Sequence, residues 1–586
     1  MKDDKEKKNL VIREQDRRIH YFAVFILVVT IISLVRLFQI QVLGRDYYSE
    51  LAKKQYVRPF FDSFDRGGIF MKSGKSYVPL AEMAVTYEIS INPSQLSGDD
   101  ITLMRDYLKS NNLYNEELFE NRVVRKTDPY EIIATNLTEE QVKHLNLKKY
   151  KFAIVSKNNR VYTADDLASK IVGFVGDDGR GVRGLYGVEK YYNDELSRDD
   201  GGVRVNFFAE LFSDIRQNEV SNYDRKHGDI YLTLEDNVER MLYNELLRAK
   251  ETWKSEIVGG IVMDPKTGAI LAMEVVPTFN LNQFSKVPDT RIFSNQIVSG
   301  VYEMGSIIKP ITVAAALDSG EVTSDTTYTD TGFRELDGYK VKNFDGKARG
   351  TTKMQTILDK SLNVGIVFLV ERMGVERFQK YFKDFGLANE TGIDLPGEAS
   401  GLSESLDSKV FVDSATAGFG QGIALTPIQA VRALAALGNG GKLVTPHVLE
   451  KIVFEDGSIK FWEAPEEKQI IKEETSEVIS RMLVHVVDNA LKDGKYKMPF
   501  YSISAKTGTA QMPKPGGGYY EDRYLHSLFG YFPAYDPKYI VFLFHTYPQG
   551  AEYASATLTD PFFNIVKFLI SYYQVPPDRS PLDQKR

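Results

Sequence analysis

Cysteine is absent from the 586 residues. Its absence excludes disulfides, thiolate metal sites and a cysteine nucleophile at once. Histidine is sparse: His20, His144, His227, His447, His485, His526 and His545 are scattered, with no H-E-x-x-H or comparable pair. A zinc hydrolase therefore has no support. An excess of positive charge is missing too. The chain has 73 Lys and Arg against 80 Asp and Glu, a formal net charge of -7, so its electrostatics do not favour nucleic acid as a partner. Repeats and low-complexity tracts are lacking, and only one apolar run approaches the length of a membrane span. What is present is 43% hydrophobic and 26% charged, the balance of a globular protein with a large core. The length predicts roughly three or four units.

The first segment, 1–20, is polar and rich in Lys and Arg. The apolar run Tyr21–Val35 follows; Arg36 interrupts it, and Leu37, Phe38, Ile40, Val42 and Leu43 extend it. The uncharged part is a little short of the roughly 20 residues that span a bilayer. Arg36 snorkelling to the interface and the flanking residues complete the span. Basic residues before the run predict an inside N-terminus, and no A-x-A follows. The expectation is a cytoplasmic tail over 1–20, an uncleaved single-pass anchor over 21–43, and everything after about Gly44 outside the cytoplasm.

Residues 44–227 mix short strands and helices and carry no catalytic constellation, which predicts a spacer and docking module. Asp65 to Ile69 reads as a turn entering a strand. Thr138 and Gln141 form a capping box around a short helix. The glycine-rich stretch 173–181 lacks the Lys-Ser/Thr pair of a phosphate loop and is read as an ordinary loop. A second domain is expected over 228–586. Ile230, Leu232 and Leu234 alternate as in a strand, and an amphipathic helix runs from about Asp236 to Thr252. Val258–Met263 and Ala269–Met273 form a hairpin around Asp264-Pro265-Lys266-Thr267-Gly268. Strand-like Ile503–Ala505, Leu528–Phe532 and Ile540–Phe544 come late. This order predicts an α+β fold, helices packed on an antiparallel sheet.

Three motifs occur in order in this second domain: Ser306-Ile307-Ile308-Lys309, Ser361-Leu362-Asn363 and Lys506-Thr507-Gly508-Thr509. Each is weak alone, but the ordered set is strong. A serine hydroxyl is a poor nucleophile until a base takes its proton. With Ser306 opening the helical run Ile307–Leu317, Lys309 lies on the same face and within reach of the Ser306 oxygen. Lys309 must then be partly neutral; burial and Lys506 as a second cation both lower its pKa. Backbone N–H groups at the helix start serve a developing oxyanion. Ser361 and Asn363 fall at a break between helical runs Thr352–Lys360 and Val364–Met373. Ser361 is placed to relay a proton to a leaving amine, and Asn363 to bind a substrate amide. Lys506 is expected at the end of a strand over Ser502–Ala505. Gly508 is read as allowing close approach of a substrate backbone, and Thr507 and Thr509 as offering hydroxyls to a carboxylate. Lys266-Thr267-Gly268 repeats the K-T-G pattern, but it precedes the serine and sits in a turn, so it is assigned no catalytic role.

With these motifs the chain resembles the class B penicillin-binding proteins. The resemblance extends to Val262–Met273, to Tyr302-Glu303-Met304-Gly305 (Y-E-P-G with Met304 for proline), to Gly392–Glu398, to Gly420–Pro427, to Gly181–Leu196 and to Arg36-Leu37-Phe38 with Gln41-Val42. It implies a penicillin-recognising serine transpeptidase fold: a five-stranded antiparallel sheet between helical layers, preceded by a pedestal or dimerisation-like domain and one transmembrane helix. It also implies D-alanyl-D-alanine transpeptidation on peptidoglycan stem peptides, acylation by β-lactams, and an oxyanion hole made by the N–H groups of Ser306 and Thr509. No metal or cofactor is implied. A single pass through the bacterial cytoplasmic membrane and partnership with a polytopic glycan-strand polymerase and other division proteins are expected. Length and pedestal look more like the FtsI-like division members than the elongation members. Two other readings compete: a D,D-carboxypeptidase or β-lactamase, which the anchor and pedestal disfavour, and a non-catalytic β-lactam receptor or scaffold, which the short tail and intact motifs disfavour.

Overall fold

The computed structural model describes residues 26–33, 36, 38–39, 65–125, 130–143, 152–179, 181–198, 226–387 and 389–580. The chain divides into two compact units: Met1–Ser63 with Asp199–Asp224, and Phe64–Arg198 with Arg225–Arg586. Of the first, residues 26–33 are helical, and most of the expected anchor lies outside the described residues. Among the described residues no helix is long and apolar enough to cross a membrane.

In the second unit a five-stranded sheet has the order Ser504–Pro513, Tyr519–Phe532, Tyr539–Thr546, Ile257–Met263, Ile270–Val276, each neighbouring pair antiparallel. Its central strands read as nearly continuous apolar runs because both faces are covered. Period two then divides them between two cores. Leu528, Val541 and Leu543 pack with Val238, Leu242 and Leu246 of the helix Asp236–Trp253 and with Phe562, Val566 and Leu569 of the helix Thr559–Tyr572. Phe529, Phe542 and Phe544 belong to the other core, which contains Ile307, Ile311 and Ala315 of the serine segment. The antiparallel sheet between helices is thus as expected, and the hairpin at 264–268 closes where its turn residues place it.

A second sheet of seven strands has the order Ile459–Phe461, Leu449–Phe454, Gly228–Glu235, Ile69–Ser73, Ser76–Ile91, Glu131–Leu137, with Ala153–Tyr162 also on Ser76–Ile91. Gly228–Glu235 alternates as its sequence predicts, with Ile230, Leu232 and Leu234 buried. It pairs in parallel with Ile69–Ser73 and antiparallel with Leu449–Phe454, so its two partners come from opposite ends of the chain. Asp394, in the family-like Gly392–Glu398 segment, accepts from the N–H groups of Val448 and Leu449 (2.7 Å each) and from the Tyr192 hydroxyl (2.8 Å).

Smaller expectations fare as follows. Thr138 and Gln141 form the reciprocal capping box. The glycine-rich 173–181 stretch contains Val175–Asp177, paired with Val182–Gly184 as a small hairpin. The helical run expected from Thr352 starts at Met354; the β-branched Thr351 and Thr352 lie in a strand, opposite Thr329 and Tyr328. The run expected from Ile307 is a 3-10 turn, Gly305–Ile307, followed by an α-helix over Lys309–Asp318. Pro310 fixes that start, since a residue without an N–H is tolerated in the first turn.

Below the catalytic half, Glu189 is buried between two arginines. Arg66 Nε donates to its Oε2 (2.5 Å) and Arg160 Nε to its Oε1 (2.7 Å), while Arg66 Nη2 donates to its carbonyl (2.6 Å) and Arg160 Nη1 to Gly67 O (2.7 Å). All three side chains are at most 2% exposed. Removing the shared carboxylate leaves two buried guanidinium groups uncompensated, a loss worth about 3–5 kcal/mol. Glu189→Gln is expected to lower the urea midpoint of this unit by a corresponding amount; an unchanged midpoint would show that the arginines hold the fold without their anion.

Candidate active site

Ser306 lies half-buried in the 3-10 turn Gly305–Ile307. Gly305 has φ +63° and donates its N–H to Gly420 O (3.0 Å). A Cβ on Gly305 would lie 2.8 Å from Thr509 O, and one on Gly420, at φ +83°, would lie 2.1 Å from Gly305 O. Neither residue has room for a side chain. The family-like segments Tyr302–Gly305 and Gly420–Pro427 therefore meet at the serine. Met304, which replaces the proline of the lead-in, is fully buried, and its carbonyl accepts from Ser527 Oγ (2.9 Å).

The strand carrying Lys506 runs over Ser504–Pro513, so Lys506 is its third residue, not the end of it. The partner strand Tyr519–Phe532 sets that length, pairing Lys506 with Phe529 and Thr509 with His526. A Cβ on Gly508 would meet Ser527 Oγ at 2.4 Å and Met304 O at 2.6 Å. The structure gives this glycine a further reason: it admits the backbone of the Ser306 turn. Thr507 and Thr509 are half-buried, and Thr509 Oγ1 accepts from the Ala554 N–H (3.1 Å).

Ser361 joins the three motifs. The helix Met354–Asp359 ends with Ser361 at φ +53°, and the Leu362 N–H closes back on Ile357 O (2.9 Å). This is the bond of a Schellman ending, which usually employs glycine. A serine there costs about 1–2 kcal/mol. Such a strained residue points to function. Lys309 Nζ donates to Ser361 O (2.5 Å) and Oγ (3.2 Å), and Lys506 Nζ to Ser361 Oγ (3.3 Å) and Thr507 O (2.9 Å). Lys309 follows Ser306 by three residues as the motif requires, and among the described residues its amine donates to Ser361.

Both lysines are buried, Lys309 at 1% and Lys506 at 4% exposure. Burial, and next the charge of Lys506, hold the Lys309 amine well below its ordinary pKa. Burial lowers Lys506 to about 8, with the Asp359 carboxylate opposing it. A neutral amine has two hydrogens and one lone pair. If Lys309 is neutral, its two donations to Ser361 use both hydrogens and leave the lone pair to accept a proton. The Ser361 oxygen accepts from both lysines, so its own hydrogen is left to give.

Asn363 opens the helix Asn363–Met373 and donates Nδ2 to Lys342 O (2.9 Å). Among the described residues its Oδ1 takes no hydrogen bond, and a substrate N–H can use it. Beside it, a pair not anticipated from sequence is buried: Asn343 donates to both oxygens of Asp330 and accepts from the Val364 N–H at the helix start (3.1 Å). Glu303 Oε1 likewise accepts from Gly422 N (3.0 Å) and Tyr519 OH (2.9 Å), tying the serine lead-in to the Gly422 loop and to the start of the strand Tyr519–Phe532. No local pattern signals these contacts. Lys266, in the other K-T-G, lies in its turn with its ammonium on Asp536 and its side chain 45% exposed.

Comparison with known proteins agrees with this constellation. The family described as penicillin binding protein transpeptidase domain matches residues 258–566, and the penicillin-binding protein dimerisation domain matches 63–229. Stage V sporulation protein D of Bacillus subtilis is 30% identical over 583 residues, covering 97% of this chain and 88% of that protein. Peptidoglycan D,D-transpeptidase FtsI of Escherichia coli is 27% identical over 416 residues, 70% of this chain and 66% of that one. Among solved structures, penicillin binding protein 3 of Mycobacterium tuberculosis complexed with aztreonam superposes with a TM-score of 0.64 at 27% identity, over 72% of this chain and 92% of that one. Two matched domains in the class B order, around a serine turn, two buried lysines and the Ser361 hydroxyl between them, make this chain a member of the class B penicillin-binding proteins.

Proposed function

We propose that the protein is a serine-type peptidoglycan D,D-transpeptidase that cross-links stem peptides ending in D-Ala-D-Ala. The observation that carries this reading is the single Ser361 hydroxyl held by two buried lysines beside the Ser306 turn. Ser306 Oγ attacks the carbonyl of the penultimate residue and its proton passes to the Lys309 lone pair. The C–N bond then breaks, and the leaving amine takes a proton relayed through Ser361. An acceptor amine attacks the acyl ester by the reverse route and regenerates Ser306. Lys506 keeps Lys309 neutral and supplies positive charge. Thr507 and Thr509 face the terminal carboxylate, Gly508 keeps their strand against the serine turn, and Asn363 Oδ1 takes a peptide N–H. The N–H groups of Ser306 and Thr509 stabilise the oxyanion, as the family resemblance implies.

The cellular reading is a septal enzyme, held by an anchor over 21–43 in the bacterial cytoplasmic membrane with 1–20 inside and the pedestal 44–227 and transpeptidase domain 228–586 outside. The basic tail, the apolar run and relatives named FtsI support it. A polytopic glycan-strand polymerase of the division machinery is the proposed partner, as the family resemblance implies. The name of the relative spanning 97% of the chain favours a second reading, wall synthesis during spore formation. Depletion should block septation and leave filaments. Dividing but rounded cells would place the enzyme in elongation, and defects confined to spores would favour the second reading.

Incubation with benzylpenicillin should give one long-lived adduct, located by mass spectrometry on the peptide containing Ser306 and absent from Ser306→Ala. Rapid turnover of the drug would instead make the protein a β-lactamase.

Lys506→Ala should slow acylation by about 10²–10³, while Lys266→Ala should not change it. The pH profile carries a sign. Lys309 must be neutral, which burial and the charge of Lys506 favour by lowering its pKa; Lys506 must be charged, which holds only below about 8. Acylation should therefore fall above about pH 8, and Lys506→Arg should remove that falling limb. A limb that stays in place in Lys506→Arg would assign it to another group.

A further inference from the structure

Two histidines left over from the sequence reading, His526 and His545, are fully buried behind the Lys506 strand. They lie on one row of the sheet with Thr509: Thr509 pairs with His526, and His526 with His545. Paired residues share a face, and the two rings are 5.2 Å apart. Between them stands the Thr557 hydroxyl, at the end of the short helix Ala554–Thr557.

One carbonyl fixes the direction of the bonds that link the two rings; the Thr557 hydroxyl has in addition a longer contact to Ala554 O (3.3 Å). His526 Nε2 lies 3.0 Å from Glu552 O, which only accepts, so Nε2 carries the proton. Burial keeps both rings neutral, His526 at about 4 and His545 well below its ordinary value. A neutral imidazole has one donor and one acceptor nitrogen. His526 Nδ1 therefore accepts from Thr557 Oγ1 (2.9 Å). With its hydrogen so used, Thr557 accepts from His545 Nε2 (2.9 Å), and His545 Nδ1 accepts from Ser255 Oγ (2.8 Å). The bonds run one way, from Ser255 through His545, Thr557 and His526 to the Glu552 carbonyl, and each imidazole nitrogen has a partner.

This chain pins the segment Glu552–Thr557 at both ends, and inside that segment the Ala554 N–H donates to Thr509 Oγ1 (3.1 Å). A hydroxyl that accepts on one side presents its hydrogen elsewhere. We infer that His526, His545 and Thr557 are positioning residues that, through Ala554, aim the Thr509 hydroxyl at the carboxylate of the substrate. The inference rests on the transpeptidase reading above, in which Thr509 meets that carboxylate.

The test compares benzylpenicillin with its methyl ester, which lacks the carboxylate charge, in full-length wild type, Thr557→Val and Thr557→Ser. Thr557→Val keeps the shape and removes the central bonds. It should lower the acylation rate constant for benzylpenicillin about 10- to 100-fold, the worth of a hydrogen bond to a charged group, and leave the ester within about twofold. Thr557→Ser should restore the wild-type ratio. Equal losses with both compounds, or none, in an enzyme that still acylates Ser306 would overturn this inference alone. A wild type that neither compound acylates would overturn the transpeptidase reading and this inference with it. Nitrogen-15 NMR of histidine-labelled wild type needs no variant: both rings should be neutral with the proton on Nε2 between pH 8 and 5, and an Nδ1-protonated His526 would refute the directed chain.

Discussion

Two ammonium-bearing side chains cannot share a dry interior unless one of them gives up its charge. Lys309 and Lys506 meet at one serine oxygen, both almost wholly enclosed. Desolvation lowers the pKa of each, and the charge of Lys506 lowers that of Lys309 further. Much of the surrounding architecture serves that enclosure. The serine helix is buried from Lys309 to Ala316, the central strands are covered on both faces, and a left-handed serine closes the gap between two helices.

The close approaches follow from the same requirement. Gly305, Gly420 and Gly508 stand where three backbones come together around the nucleophile, and at each a Cβ would run into a carbonyl oxygen. Ser306 is thus held by main chain more than by side-chain bonds. Its hydroxyl is left without a competing partner among the described residues, while Lys309 and Lys506 are both held by Ser361.

What the sequence made legible was local. The ordered motifs, the hairpin at Asp264–Gly268, the Thr138 capping box and the alternation at Ile230 to Leu234 each depend on residues a few positions apart, where side-chain chemistry and period leave a readable mark. What it hid was set by distant partners. The reach of the Lys506 strand is decided by the 14-residue strand beside it, and the place of Lys309 by a carbonyl 52 residues away. The role of Gly508 depends on Met304, and the hold of Ala554 on Thr509 spans 45 residues. The motif reading placed Lys309 within reach of Ser306 but gave no sign of its bonds to Ser361. Proximity along a helix suggested Ser306; the tertiary arrangement added Ser361.

The strand Gly228–Glu235 bears on how the chain can be divided. Composition suggests a boundary at its first residue, yet the strand lies in the interior of the seven-stranded sheet, between Ile69–Ser73 and Leu449–Phe454. A chain cut at Gly228 would keep one neighbour and lose the other. The strand would become a bare edge, its N–H and C=O groups open and Ile230, Leu232 and Leu234 along it, which is the pattern that recruits a strand from another molecule. The pedestal is in this sense a lid on a sticky edge, and a catalytic half released from it is an aggregating species unless something else covers that strand.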